Sequence, residues 1–111
     1  MIKFPPIKEI AACDAETGAV ISLPIGNTHK DLNWQKAIKK ENLQLGFVDE
    51  SGKFLDRFDA LLCAVFNNQL NEDGLRLLVK RMYFNDIQCK ASKLRECHPG
   101  LDSMHLKGYT G

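Results

Sequence analysis

The residues best suited to acid–base chemistry near neutral pH are three histidines, His29, His98 and His105. A hydrolytic triad would also need an activated serine or cysteine and an orienting carboxylate, and no G-x-S-x-G nucleophile elbow occurs. The chain contains neither a P-loop nor a G-x-G-x-x-G dinucleotide fingerprint. His29, which stands beside Lys30 and Asp31, is either a ligand or acid–base residue or a polar residue at a helix entrance. With 111 residues and none of these motifs, the chain favours binding over catalysis.

Sulfur ligands for a metal would have to come from four cysteines, which are Cys13, Cys63, Cys89 and Cys97. No two of them have the close spacing of a zinc knuckle, so the weak metal candidates are Cys89, Cys97 and His98. Cys63 lies in an apolar run and is predicted to be a small buried residue. Because the N-terminus carries no secretory signal, we expect a cytoplasmic protein with free thiols. We also expect no bound cofactor.

Charge is spread unevenly along the chain although its sum is only +1. Residues 1–75 carry 8 basic and 11 acidic residues, which sum to −3, and residues 76–111 carry 7 and 3, which sum to +4. The basic third is either ordinary solvated charge or a surface for an acidic partner. Its candidate contact residues are Arg76, Lys80, Arg81, Lys90, Lys93 and Arg95.

Two classes of partner are disfavoured by the pattern of residues. No helix-turn-helix or RNA-binding aromatic signature is present, so we do not expect sequence-specific binding of nucleic acid. The longest apolar run, residues 61–66, is too short to cross a membrane.

The elements that must position these residues indicate a small α+β fold. Residues 7–14 and 19–23 read as two strands around a turn in which Gly18 permits a positive φ. Residues 31–41 are predicted to form a helix, with Trp34 and Ile38 on one face.

The strongest local pattern runs from residue 45 to residue 68. Residues 45–48 and 53–55 read as strands around a D-E-S-G turn, and Asp56 is placed to cap a helix over residues 57–68. The apolar spacing of that helix predicts one buried stripe, made of Phe58, Leu61, Leu62, Val65 and Phe66.

Residues 75–84 fit a helix or a strand, and we choose a helix; no periodicity follows residue 85. The prediction is a single domain with a small antiparallel sheet from two hairpins packed against two to three helices. It is compact over residues 7–87 and has an irregular tail over residues 88–111.

The segment at residues 44–60, QLGFVDESGKFLDRFDA, resembles a pattern in small phage-encoded proteins. We associate that pattern with the first type of Thoeris anti-defence protein, and the resemblance extends over residues 8–87. It implies a non-enzymatic protein of the host bacterial cytoplasm that sequesters cyclic ADP-ribose-like signals. Three features depart from the pattern: Leu45 is inserted, Thr28-His29-Lys30 replaces an Arg-His-His stretch, and residues 88–111 have no counterpart.

A nucleotide site needs a flat ring for stacking and cations for phosphate. Phe47 and Phe54 on paired strands, with Arg57 at the start of the helix, could supply both, aided by His29 and Lys30. The alternative is that both phenylalanines are core residues and that Arg57 pairs with an acid. A small sheet with exposed edges also leads us to expect a homodimer.

The leading hypothesis is therefore a phage-type counter-defence protein that sequesters a cyclic nucleotide without cleaving it. The second is a protein–protein inhibitor of a host defence complex, comparable to an anti-CRISPR protein, that uses the basic C-terminal third. The third is a small cytosolic enzyme or metal protein.

Overall fold

A computed structural model describes residues 4–84 and 100–109, with residues 81–84 described by their backbone alone. Four strands form one antiparallel sheet in the order β2-β1-β3-β4. They are β1 (Ile7–Asp14), β2 (Val20–Pro24), β3 (Leu43–Asp49) and β4 (Phe54–Asp56). Two α-helices follow the sheet, α1 (Arg57–Phe66) and α2 (Glu72–Phe84). The predicted α+β fold with a sheet built from two hairpins is confirmed.

Carboxylates in the first position of each turn close both hairpins. Asp14 Oδ1 accepts hydrogen bonds from the backbone N–H of Glu16 at 2.8 Å and of Thr17 at 3.3 Å. In the β3–β4 turn, Asp49 Oδ1 accepts from the Ser51 N–H at 2.9 Å and from the Lys53 N–H at 3.1 Å. Each turn thus satisfies backbone donors that would otherwise need water, which is why short polar residues precede it.

Helix α1 begins where the sequence predicts. Asp56 caps it by accepting from the N–H groups of Phe58 and Asp59 at 2.9 and 2.7 Å. Helix α2 confirms the choice of helix over strand after residue 75. Within residues 4–84 and 100–109, neither helix has the length and hydropathy needed to span a membrane.

The predicted buried stripe of α1 is wrong in part. The buried positions are Ala60, Leu61, Cys63 and Ala64, whereas Leu62, Val65 and Phe66 are exposed, Phe66 to 68%. Three of the four buried residues are small, and they let the helix lie close to strands β1, β3 and β4, which it contacts. The buried position of Cys63 is as predicted.

The predicted helix over residues 31–41 does not form. Three short 3₁₀ turns replace it, at His29–Leu32, Trp34–Lys36 and Lys40–Asn42. Asn33 interrupts the run with a left-handed φ of 50°. The buried residues Leu32 and Ile38 lie six positions apart, and on an α-helix they would point about 120° away from each other. The irregular path lets both side chains reach the core.

Residues 100–109 belong to the compact part of the molecule, which corrects the prediction of a tail for this segment. Leu101 is 1% exposed and Leu106 is fully buried, and both join the core. Leu106 forms a β-bridge with Leu70, and the Leu101 N–H donates to the Arg57 carbonyl at 2.8 Å. Residues 100–109 are irregular as predicted, apart from a 3₁₀ turn at Ser103–His105.

Candidate functional site

A pocket of about 470 Å³ lies between the first 3₁₀ turn, strand β3, the start of α1 and the segment at residues 102–109. Its volume lies within the range of small-molecule sites, roughly 300–1,000 Å³. The lining residues are Thr28, His29, Lys30, Leu45, Arg57, Asp102, Ser103, Met104 and Tyr109.

Three of the five predicted ligand-binding residues meet in this pocket. His29 and Lys30 come from the 3₁₀ turn after β2, and Arg57 is the first residue of α1. The capping box of Thr28 and Asp31 holds the turn, since Asp31 Oδ2 accepts from the Thr28 N–H at 2.8 Å. The site therefore joins residues 27 to 28 positions apart in the sequence.

The two predicted stacking rings do not meet there. Phe47 is fully buried, so its ring is part of the core, as the alternative interpretation held. Phe47 pairs with Leu55 across the strands while Phe54 pairs with Val48, and successive side chains of a strand point to opposite faces. Phe54 consequently lies on the other face of the sheet, over Gly46, where an added Cβ would approach its ring to 2.5 Å.

The imidazole of His29 is held from two directions. Its Nε2 lies 2.9 Å from the Gly46 carbonyl oxygen, and its ring meets the Phe47 ring edge-on with centroids 5.2 Å apart. Because a carbonyl can only accept, Nε2 carries the proton. Burial lowers the pKa of His29 below 6.5, and the nearby Arg57 lowers it further. His29 is therefore a neutral side chain at neutral pH, and an anion beside it would favour the charged form.

Arg57 is fixed by the C-terminal segment. Its Nε donates to the Leu101 carbonyl at 3.0 Å, and the backbone bond between Leu101 and Arg57 runs the other way. Gly100, at a φ of 97°, packs against this residue so closely that an added Cβ would lie 2.9 Å from the Arg57 Cβ. Within the described residues the ion pairs are those of Arg76, so no carboxylate there neutralises Arg57. Its terminal N–H groups remain available to a ligand.

Besides Thr28 and Leu45, four lining residues were not predicted as site residues, and these four lie in one short segment. They are Asp102, Ser103, Met104 and Tyr109. The segment carries no hydrophobic period and no motif, so no local signal indicates its place. Only the pair Pro99-Gly100 marks a turn before it.

Ser103, His29 and Asp102 are the residue types of a hydrolytic triad, and all three line the pocket. A triad requires the serine hydroxyl to donate to an imidazole nitrogen. Within residues 4–84 and 100–109, no hydrogen bond joins Ser103 to His29, and the protonated Nε2 faces the Gly46 carbonyl instead. The arrangement is thus one of donors and cations around a cavity.

Comparisons of this chain with protein-family models, curated proteins and solved structures found no match. The segment at residues 44–60 covers most of β3, all of β4 and the start of α1. It supplies Leu45 and Arg57 to the pocket.

The other predicted sites fall mostly outside what the structure describes. Among the described residues, no group of three His, Cys, Asp or Glu side chains could hold a metal, and Cys89, Cys97 and His98 lie outside those residues. Lys90, Lys93 and Arg95 also lie outside, as does the side chain of Arg81. Arg76 pairs with Glu72 and Asp73 on α2, and Lys80 is exposed on the same helix.

Proposed function

We propose that this chain is a non-enzymatic binding protein that holds a phosphate-bearing nucleotide in the pocket. In the manner of the phage proteins that it resembles, it would sequester a cyclic nucleotide immune signal. The observation that supports this proposal most directly is the convergence of His29, Lys30 and Arg57 on one cavity, where Arg57 forms no ion pair with any carboxylate of residues 4–84 and 100–109.

The cations account for the phosphate. Arg57 presents a planar guanidinium with several N–H donors, and such a group binds phosphate with two parallel hydrogen bonds. Lys30 is exposed at the mouth and adds a mobile positive charge. His29 completes the set, because an anion next to it raises its pKa and so recruits a third positive charge.

The apolar part of the lining accounts for the base. Leu45, Met104 and Tyr109 surround the same cavity, and Tyr109 is half-buried. An aromatic ring with a polar tip suits a base at the edge of a pocket. In this proposal Tyr109 has the stacking role that the sequence suggested for Phe47 and Phe54.

The protonation and hydrogen bonding of the pocket side chains fit a protein that holds a nucleotide without cleaving it. The imidazole that would have to act as a base has a lowered pKa and donates its proton to a backbone carbonyl. The nearby serine has no hydrogen bond to it within the described residues. A bound phosphodiester would therefore meet fixed donors and no activated nucleophile.

The test is calorimetry with cyclic ADP-ribose and with cyclic di-AMP, followed by chromatography of the recovered ligand. Tight binding with intact ligand supports the proposal. Arg57→Gln should weaken binding about tenfold to a hundredfold, since a hydrogen bond to a charged group contributes about 1.5–3 kcal/mol. Arg76→Gln is the matched control, because Arg76 is exposed and paired on α2. No heat with either ligand, or equal losses in both variants, would reject the proposal.

A second function is favoured by the outer face of α2, where Leu75 and Val79 are 46% and 60% exposed beside Lys80. An apolar stripe next to a cation suits a host protein with an acidic rim, which would make the chain a protein–protein inhibitor. A stoichiometric partner in host lysate that is lost in Val79→Asp and kept in Arg57→Gln supports this function. Sedimentation of the same two variants would measure whether they form the expected homodimer.

A further inference from the structure

Among the described side chains that line the pocket, Asp102 is the one carboxylate, and the other charged residues are Lys30, Arg57 and the titratable His29. It forms no ion pair with any of them within the described residues. An acid here repels a phosphate, so a site for inorganic phosphate alone would be better without it. A ligand that carries hydrogen-bond donors as well as an anion would offset this repulsion.

The position of Asp102 is fixed rather than adaptable. Its Oδ1 accepts from the Met104 N–H at 3.1 Å and so caps the 3₁₀ turn, and the next residue, Ser103, is buried. An ionised carboxylate has about four acceptor positions, so one backbone bond leaves most of them for a ligand. Asp102 raises the pKa of His29 whereas Arg57 lowers it, so an acid and a cation both act on the same imidazole.

We propose that Asp102 accepts hydrogen bonds from the ribose hydroxyls of the bound nucleotide and makes the pocket selective for ribonucleotides over deoxyribonucleotides. The inference rests on the proposed function. In a nucleotide the sugar hydroxyls lie one ring away from the phosphate, which suits a carboxylate set among phosphate-binding cations. Carboxylates bind ribose hydroxyls in the same way in dinucleotide sites.

Selectivity follows from the cost of an unpaired group. A deoxyribose ligand would leave the Asp102 carboxylate facing a carbon–hydrogen bond, and a site built to bond a hydroxyl rejects an analogue that lacks it. We expect the wild-type chain to bind cyclic di-AMP about tenfold to a hundredfold more tightly than its deoxyribose counterpart, as for other hydrogen bonds to charged groups.

The experiment titrates wild type and Asp102→Asn with five probes: cyclic di-AMP, its deoxyribose counterpart, adenosine monophosphate, deoxyadenosine monophosphate and inosine monophosphate. Asparagine still accepts from the Met104 N–H, so the turn is kept. The variant should bind the ribose probes more weakly and the deoxyribose probes equally well or better, because the negative charge is gone. A purely structural role for Asp102 would shift both kinds of probe by the same factor.

The outcomes separate this inference from the proposed function. Equal affinity of wild type for ribose and deoxyribose probes overturns the role of Asp102 and leaves nucleotide binding standing. A large preference for adenosine over inosine monophosphate that vanishes in Asp102→Asn, without ribose selectivity, also overturns it, since the carboxylate would then bind the base amine. Absence of binding to every probe rejects the proposed function, and the inference with it.

Discussion

Two of the segments that build the pocket walls are specified in different ways. Residues 43–66 form β3, β4 and α1, and local features determine their structure. These features are a turn closed by Asp49, a cap at Asp56 and the alternation of side chains between the two faces of the strands. Residues 100–109 have little regular structure and are held by contacts with distant residues. The first segment places Arg57 and the second fixes it, so the site depends on a local and a long-range element together.

The largest effect is expected in the first segment, at Phe47. This side chain is fully buried and supports both the core and the His29 ring. Phe47→Ala should lower the free energy of unfolding by about 3–5 kcal/mol, as usual for a buried phenylalanine. Urea denaturation measures the change. Phe54→Ala on the opposite face is the matched control and should cost clearly less, because Phe54 is only half-buried; equal losses would contradict the assignment of faces.

The second segment should show nearly the same sensitivity if residues 100–109 belong to the core. Leu106 is fully buried and bridges to Leu70. Leu106→Ala should lower the free energy of unfolding by about 2–5 kcal/mol, whereas Met104→Ala at an exposed position in the same segment should change it little. A loss below about 0.5 kcal/mol for Leu106→Ala, the size of a surface substitution, would return this segment to the status of a tail.

The contrast also explains what the sequence could predict. The Asp14 and Asp49 turns, the Asp56 cap and the four strands all depend on neighbours within a few residues, and all were predicted. The failures needed tertiary information. The side of α1 that is buried depends on what fills the sheet face, and the path of residues 29–42 depends on the distance that Leu32 and Ile38 must span.

The site, like the fold, could be predicted only in part, because its remaining residues come together through tertiary structure. His29, Lys30 and Arg57 were chosen by chemistry, and the fold brings them together. Asp102 and Tyr109 lie in a segment without periodicity, so only the fold reveals them. The sequence left Phe47 as either a stacking or a core residue, because an aromatic residue in a strand has the same signature whether it faces a core or a ligand.

A smaller effect is expected at two glycines with positive φ, where alanine variants can distinguish a loss of stability from a change in the geometry of the site. Gly100, with a φ of 97°, packs on Arg57, whereas Gly52, with a φ of 87°, has open space where a Cβ would lie. Both alanine variants should lose about 1–2 kcal/mol of stability from the left-handed backbone. Only Gly100→Ala should also weaken nucleotide binding, because its Cβ displaces Arg57. Calorimetry with cyclic di-AMP distinguishes them, and equal affinities would show that Gly100 does not position the guanidinium.

The smallest expected effect is the pH dependence at His29. Its pKa is lowered in the folded chain, first by burial and then by Arg57. Between that value and 6.5 the unfolded chain binds more protons than the folded one, so stability rises with pH across this interval. The contribution of His29 to the free energy of unfolding is fully present above pH 6.5. A bound phosphate acts in the opposite sense, because it stabilises the imidazolium and raises the pKa. Nucleotide binding should then take up protons, and affinity should increase as the pH falls toward the lowered pKa of His29 in the free chain.

Calorimetry in two buffers of different ionisation enthalpy measures this proton uptake directly. His29→Gln keeps a donor for the Gly46 carbonyl and removes the titrating group, so it should abolish both the proton uptake and the rise in affinity at low pH. His105→Gln is the control, since His105 does not line the pocket. Proton uptake that survives in His29→Gln would assign the linkage to another group. The group that takes up the proton would then not be the His29 imidazole, which the Phe47 ring and the Gly46 carbonyl hold in place.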